Sequence, residues 1–334
     1  MPLVVYEDSG WQRLLPLVYV RAVFQLVCGT MDLLSRVRLL SQEPPSVWCR
    51  PALAELIAEQ TSASVNQSLQ PNTLCLCGRG LWQRLPSIPV DGAWVGTCGE
   101  GEVCVFADVE LATKLSPEDF LDQTRLRGHL SGLPRYDVSD CVRVMTWPWD
   151  LVGANEAQLE SDWARDPRSG VQGRVCEGAH LLGEDNVFVG DGAVVKPTVV
   201  VDAEIGPVWI EEDVTIQPHA TIEGPAFIGK GSLIQPGSVG HAGSYLGPVC
   251  KVGGEIEGSI IQGYSNKQHD GFLGHSYVCS WVNIAADCVN SDLKNTYGTV
   301  RLPINGREVE TEELFIGMFM GDHSKASINV SFPT

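Results

Sequence analysis

The sequence predicts an α/β domain followed by a β-helix of short strands joined by tight corners. Three observations predict it. In the second half, aliphatic residues recur at every sixth position. In the first half, strand-like apolar runs alternate with helix-like segments, the grammar of an α/β domain. Glycine (35) and proline (20) together fill about one position in six of the 334, above the usual share of about 12%, which favours turns and short strands over a helix bundle.

The first half is taken in chain order. LVVY (3–6) and TLCLC (73–77) have the composition of buried strands, and AWVG (93–96) with EVCVFADV (102–109) that of a hairpin turning at GEG. TMDLLSRVRLL (30–40) places Leu33, Val37 and Leu40 at helical spacing, with Thr30 as the expected N-cap. PALAELIAEQ (51–60) opens on a proline suited to a first helical position, and SPEDFLDQ (116–123) carries a Ser-x-x-Asp capping signal. WPWDLVGANEAQLESDWAR (147–165) closes the domain as a strand end and then a helix.

In the second half, Val189, Val195 and Val201 are followed, after a three-residue slip, by Ile210, Ile216, Ile222, Ile228 and Ile234. Gly240 keeps the phase, Leu246 and Val252 resume it, and Phe272, Val278 and Ile284 repeat the spacing. Neither a helix nor an ordinary sheet repeats at six. One inward aliphatic per side of a three-sided coil does, with about 18 residues per coil and coils stacked at about 4.8 Å. Asn305-Gly306, between two short alternating runs, predicts a hairpin inserted at 299–311. The expected domains are therefore 1–168 and 169–334.

A net charge of −18 argues against nucleic acid and anionic membranes as partners. No apolar run reaches the roughly 18 residues of a membrane span, and Glu7 and Asp8 stand where a secretory leader would be basic. Eleven cysteines without a CxxC pair read as buried, reduced thiols. The expected location is cytoplasmic.

NKQHDGFLGHSYVCSWVNIAADCVNSDLKN (266–295) resembles the acetyltransferase half of the bifunctional UDP-N-acetylglucosamine pyrophosphorylase/glucosamine-1-phosphate N-acetyltransferase family. Lys267, His269, Phe272-Leu273-Gly274 and Asn283-Ile284-Ala285-Ala286-Asp287 carry the likeness, and GDHSKASINVS (321–331) resembles a later coil of related sugar-phosphate nucleotidyltransferases. RLLPLVYVRAVFQLVCGTMDLL (13–34) and WPWDLV (147–152) resemble the divergent nucleotidyltransferase domain that accompanies such a β-helix. The resemblance implies a left-handed hexapeptide-repeat acyltransferase fold, a homotrimer, and acetyl-CoA as co-substrate for an amino-sugar 1-phosphate.

By that resemblance His269 and Asn283 are the catalytic pair: a base near neutral pKa must take the proton of the attacking amine, and an amide orients the reacting groups. Lys267, Phe272 and Lys294 are implied at the substrate, and Ala286 and Lys325 at acetyl-CoA. His219, His241 and His275 read as loop histidines, with His323 between the two readings. HAGSYLGPVCKVGGEIEGSI (241–260), where the family carries its phosphate-holding basic residues, supplies only Lys251 as a lysine or arginine, and NIAAD stands where the family has Gly-Ala-Gly at the corner.

A second activity is nucleotidyl transfer, consuming a nucleoside triphosphate and a sugar phosphate to give a nucleotide sugar, with Mg²⁺ for the phosphates. Arg13 and Arg21 are its implied substrate residues. VVYEDSGWQRLLPL has a single glycine where the family opens with a glycine-rich loop, and Gly78-Arg79 stands where catalytic relatives have Gly-Asp. Asp8, Asp91 and Asp108 are open as replacement carboxylates. A third reading is a non-catalytic protein that binds nucleotide sugars.

Overall fold

The computed structural model describes residues 1–87 and 91–334. It divides into two compact units: Met1–Leu26 with Met31–Trp147, and Val27–Thr30 with Pro148–Thr334.

The first unit is a mixed α/β domain. Its main sheet is built from β1 (Leu3–Tyr6), β2 (Ser46–Trp48), β3 (Thr73–Cys77), β4 (Trp94–Cys98), β5 (Gly101–Ala107) and β6 (Arg135–Asp137), in spatial order β2-β1-β3-β5-β4-β6. β1 runs parallel to β2 and β3, and the β4–β5 hairpin adds an antiparallel part. Every residue of β1 and β3 is buried, as their unbroken apolar sequences require. The first helix spans Leu33–Leu39, and its N-cap is Asp32 rather than Thr30: the Asp32 carboxylate accepts from Ser35 N at 2.6 Å. The capping box is present at 116–119, where Asp119 Oδ2 accepts from Ser116 N at 2.8 Å.

The second unit stacks parallel strands into three sheets, the arrangement of a left-handed β-helix. Two of the sheets hold eight strands and the third six, among the described residues. Coils are numbered 1 to 8 along the chain, each with a first, second and third side. The inward column of the second side reads Val175, Val195, Ile216, Ile234, Val252, Lys267, Ile284, Ala326, with consecutive members in register or continuing the phase. That of the third side reads Leu181, Val201, Ile222, Gly240, Ile256, Leu273. These stacked aliphatics fill the lumen from Val187 to Cys288.

The slip in the hexad pattern has a structural cause, and the count past Val252 needs correcting. The three-residue slip is a longer corner at 203–207, where Ile205 stands 87% exposed. Phe272 is not an inward residue: Leu273 pairs with Ile256 in the lumen, while Phe272 faces outward opposite Glu255. Coils 5 and 6 shorten some corners, so Ile256 and Ile261 enter the lumen off the six-residue count.

The outer face of the first side carries an aromatic ladder, Phe188, Trp209, Phe227 and Tyr245, with Phe227 and Tyr245 stacked at 5.1 Å. A long helix, Pro148–Arg165, lays Leu159 and Trp163 on it, Trp163 meeting Trp209 edge-on at 4.7 Å. Asn155 on this helix accepts from Gly29 N and donates to Gly243 O, both at 2.8 Å, and Asp162 accepts from Thr30 N at 2.9 Å. These contacts tie the helix to residues 27–30 and to the β-helix, all within the second unit. The helix begins directly at Pro148, with no strand before it.

Between coils 7 and 8 the chain leaves the helix. Arg301–Ile304 and Arg307–Glu310 form an antiparallel hairpin closed by Asn305 and Gly306, both at positive φ (49° and 76°) as a tight hairpin turn demands. The insertion is anchored at its base: the Asp292 carboxylate meets His275 Nδ1 at 2.8 Å, and Phe315 stacks on the His275 ring. Since the lumen is close-packed, truncating one of its members leaves a cavity. Ile216→Ala is expected to cost about 2–5 kcal/mol, read as a lowered denaturation midpoint, whereas the exposed Ile205→Ala should leave the midpoint unchanged.

Candidate functional site

Lys294 apart, the residues implicated by the acyltransferase resemblance fall on coils 6 to 8 of the second unit. The second-side strands Asn266–Lys267, Asn283–Ile284 and Lys325–Ala326 lie side by side, so Asn266, Asn283 and Lys325 form an outward column. Asn266 Nδ2 donates to Asn283 Oδ1 at 2.7 Å. That bond occupies the Asn283 oxygen and leaves its amide N–H groups as donors toward solvent. His269 lies on the corner that follows the coil 6 strand and is exposed; Gln268 Nε2 is 3.3 Å from His269 Nε2. Ala286 occupies the next coil's corner, its carbonyl accepting from Asn329 N at 2.8 Å.

Lys267 is placed differently from a phosphate ligand. It takes the inward position between Val252 and Ile284 and is 3% exposed. Its Nζ donates to Gly253 O at 3.0 Å and to His269 O at 2.7 Å. Burial depresses its pKa to about 8, against which Asp270 acts in the opposite direction. Phe272 lies outside on the third side with its ring against Gly274, whose missing Cβ leaves the space. Lys294 belongs to the insertion, where Nζ donates to Thr299 O at 2.9 Å. The structure thus groups His269, Asn283, Lys325 and Ala286 on one stretch of surface, sends Lys267 inward, and sets Phe272 and Lys294 on other segments.

Two other histidines have carboxylate partners the sequence does not announce. His241 sits between Glu223 (2.8 Å) and Glu255 (3.2 Å), each from a neighbouring coil. Burial lowers its pKa, but the bonds to the two carboxylates prevail and hold it above the ordinary histidine value. These are ties between coils, as is His275 with Asp292.

In the first unit, the loop after β1 is fastened by two arginine–carboxylate pairs. Glu7 is fully buried; its oxygens accept from Val23 N (3.0 Å) and from Arg50 N and Nε (2.9 and 3.1 Å). Arg50 also donates to the carbonyls of Val18 and Arg21 and lies 3.9 Å over the Trp11 ring. Asp8 is held bidentately by Arg79, with Nε to Oδ1 at 2.7 Å and Nη2 to Oδ2 at 2.5 Å, while Nη1 donates to Met145 O. Gly10 makes room for this: a Cβ there would lie 2.6 Å from the guanidinium. Arg13 stacks over Trp147 at 5.9 Å, and Arg21 contributes its carbonyl to Arg50.

Donor chemistry decides the magnesium question against Asp8. Both its oxygens already face a guanidinium, and Asp108 Oδ1 caps a helix by accepting from Leu111 N at 2.9 Å. Among the described residues no three His, Cys, Asp or Glu side chains converge in a metal-binding arrangement. Asp8 is therefore closed to Mg²⁺, and one oxygen of Asp108 is engaged as a helix cap. All eleven cysteines are free thiols; burial pushes Cys77 and Cys104 up to about 12, so they stay protonated. No helix among the described residues is long and apolar enough to cross a membrane.

Comparison with known proteins divides along the chain. Residues 3–166 match the sugar nucleotidyl transferase family. The matched sugar nucleotidyl transferase segment takes in the whole first unit's sheet and the helix Pro148–Arg165, although that helix groups with the β-helix in space. Two curated relatives, each called bifunctional protein GlmU, from Bordetella parapertussis and Bordetella bronchiseptica, are 28% identical in an alignment 177 residues long that covers 46% of this chain. The chain covers 38% of the length of either relative. Among solved structures, the acetyltransferase domain of PglB from Neisseria gonorrhoeae FA1090, in complex with acetyl coenzyme A, aligns over 97% of this chain and 94% of its own length. Its identity is 12% and its TM-score 0.25, too low for any inference about this protein.

The buried charges set two expected outcomes. Lys267 has a folded pKa near 8 and an ordinary value of 10.5, so between those values the unfolded chain binds more protons and stability rises with pH. Buried thiols with raised pKa values act in the opposite sense, so the Lys267 contribution is read as the midpoint difference between wild type and Lys267→Met, which should shift in favour of wild type from pH 8 to 10.5. A constant difference contradicts the buried placement. Arg79→Ala leaves Asp8 without its partner beside an unfilled space and should cost about 3–5 kcal/mol in denaturant unfolding.

Proposed function

We propose that the β-helix transfers an acetyl group from acetyl-CoA to the amine of an amino-sugar 1-phosphate, with His269 as general base, in a homotrimer. The observation that carries this reading is an exposed histidine on a corner of coil 6, beside a strand whose outward asparagine is bonded to Asn283, with Lys325 next in register.

In the reaction the sugar amine attacks the thioester carbonyl and gives up a proton. His269 Nε2, the nitrogen facing the Gln268 amide, is the lone-pair acceptor for that proton. The carbonyl oxygen gains negative charge, and the outward N–H groups of Asn283 are donors for it or for a sugar hydroxyl. Collapse of the tetrahedral adduct forms the amide bond and breaks the C–S bond. The departing CoA thiolate recovers the proton from the imidazolium, which balances the step. Lys325 supplies a cation for a phosphate of acetyl-CoA, and the Ala286 corner supplies backbone beside it. Lys294 and Phe272 belong to the proposal as substrate contacts reached from the insertion and the third side.

A second reading concerns the sugar nucleotidyl transferase segment, and the family match favours it. Under this reading the first unit takes a nucleoside triphosphate or a nucleotide sugar, with Arg13 and Arg21 near the phosphates. The Arg79–Asp8 pair takes one candidate carboxylate away from a metal, which makes binding of nucleotide sugar without turnover the alternative outcome for this unit.

The deciding experiment incubates the protein with acetyl-CoA and a panel of amino-sugar 1-phosphates and follows thiol release. Wild type should turn over at least one substrate, and His269→Ala should lower kcat by about 10²–10⁴-fold with the β-helix still folded. Unchanged turnover in that variant sinks the assignment. In parallel, pyrophosphate release with nucleoside triphosphates and sugar 1-phosphates tests the second reading. Thermal stabilisation by nucleotide sugars with no pyrophosphate release would assign the first unit to binding.

A further inference from the structure

We propose that Lys267 is a positioning residue for His269, acting from inside the coil on the histidine's main chain rather than on the substrate. This rests on the reading of His269 as the base. The second-side lumen column is aliphatic from Val175 to Ala326 except at this one place. A lysine there costs several kcal/mol in desolvation unless its ammonium is bonded, and every removal of an aliphatic from a close-packed core forfeits contacts. What offsets the cost is specific. The side chain crosses from the strand to the corner, and Nζ holds two carbonyls, Gly253 O on coil 5 and His269 O on coil 6.

The corner is tied at both ends, where Gly253 N donates to Lys267 O at 2.7 Å and Glu255 N to Gly271 O at 3.3 Å, and between them the His269 carbonyl accepts from Lys267 Nζ. Gly254 and Gly271 both adopt positive φ (79° and 120°), and Gly271 packs so tightly on Cys288 O that no side chain fits. Glycines on two successive coils pack backbone against backbone here, Gly253 on Gln268 and Gly254 on Asp270 and Gly271, and bring no side chain that could hold the His269 peptide. Without a donor inside, the His269 carbonyl would turn toward water, and the His269 side chain would turn with its peptide. Lys267 therefore fixes the direction in which the imidazole leaves the surface. The lysine has the length this requires. From its strand position it reaches the corner carbonyl two residues later, while its stem fills the lumen between Val252 and Ile284.

The test uses Lys267→Met, which keeps the volume and removes the donor. The variant should fold, with a midpoint at neutral pH equal to or above wild type, since a buried charge has been replaced by an apolar group. In the acetyl-transfer assay kcat should fall about 10- to 100-fold, because misplacing a reacting group by about 1 Å has that effect. KM for the sugar phosphate should stay within about twofold, since no substrate contact is lost. A raised KM with kcat intact would make Lys267 a phosphate ligand and overturn the proposal; so would wild-type kcat in a variant series where His269→Ala is inactive. If His269→Ala retains full turnover, the base assignment fails, and the lysine's role is then read by NMR. The His269 imidazole resonance, assigned by its loss in His269→Ala, should shift and broaden in Lys267→Met. An identical resonance and titration curve would overturn the positioning role independently of catalysis.

Discussion

The lumen of the β-helix constrains everything built around it. Each coil contributes one inward residue per side, and neighbouring coils stack those residues directly on one another in register. An inward residue must therefore be apolar, or must find its hydrogen-bond partners inside a space that holds no room for water. Coils 2 to 4 satisfy this with aliphatics almost throughout, Gly240 excepted. Coils 6 and 7 depart from it twice, at Lys267 and at Asn290. Asn290, 4% exposed, solves the problem as Lys267 does, by bonding backbone: it accepts from Gly274 N and donates to Gly274 O, both at 3.0 Å. Both polar insertions lie within the coils that carry the proposed site and the base of the hairpin insertion. Regularity holds where the coil is only scaffold and yields where chain direction must be set residue by residue.

The outside of the helix obeys a second, weaker constraint, since outward residues of one column also stack. On the first side this gives the aromatic ladder from Phe188 to Tyr245, which would be a large exposed apolar surface without the helix Pro148–Arg165. On a corner it gives Tyr264, Trp281 and His323, stacked at 4.7 and 6.4 Å with planes within 7°. All three have φ near +60°, a conformation that costs bulky residues about 1–2 kcal/mol, and ring stacking of about 0.5–1.5 kcal/mol per pair offsets part of it. On the third side it brings Glu223, His241 and Glu255 together, where the imidazole separates carboxylates that would otherwise repel.

This division explains what was legible in the sequence. Inward aliphatics write themselves as a period, so the β-helix, its slip near 205 and its coil size could be read directly. The period fails at shortened corners, and there it misassigned Phe272 and passed over Ile256 and Leu273. It also cannot distinguish a lysine facing the lumen from one facing solvent. Continuing the count from Val252 past the short corners places Lys267 inward, but that continuation requires the corner lengths, which glycine pairs such as Gly253-Gly254 set through backbone geometry. The long helix was visible as a helix; its partner was not, because the aromatic ladder lies on the face that carries no six-residue apolar signal. Thr30 and Asp32 are both good N-caps by composition, and Thr30 was lost to that role because Asp162 takes its N–H and hydroxyl.

The first unit shows the same logic from the side of charge. Arg79 at the end of β3 looks in sequence like the loss of a carboxylate. In the fold it is a substitution of one charge arrangement for another: a fixed guanidinium answers Asp8 and bridges to Met145 O, and Arg50 does the same for Glu7. A loop that must admit a triphosphate and a metal has to keep carboxylates open and backbone N–H groups unengaged. Here the carboxylates are neutralised by covalently attached cations, and Gly10 is used to seat Arg79 rather than to approach a phosphate. An exchangeable ion would have to displace a bidentate guanidinium whose third donor is also bonded. The guanidinium at this position is part of the chain, so it holds the loop after β1 in one shape.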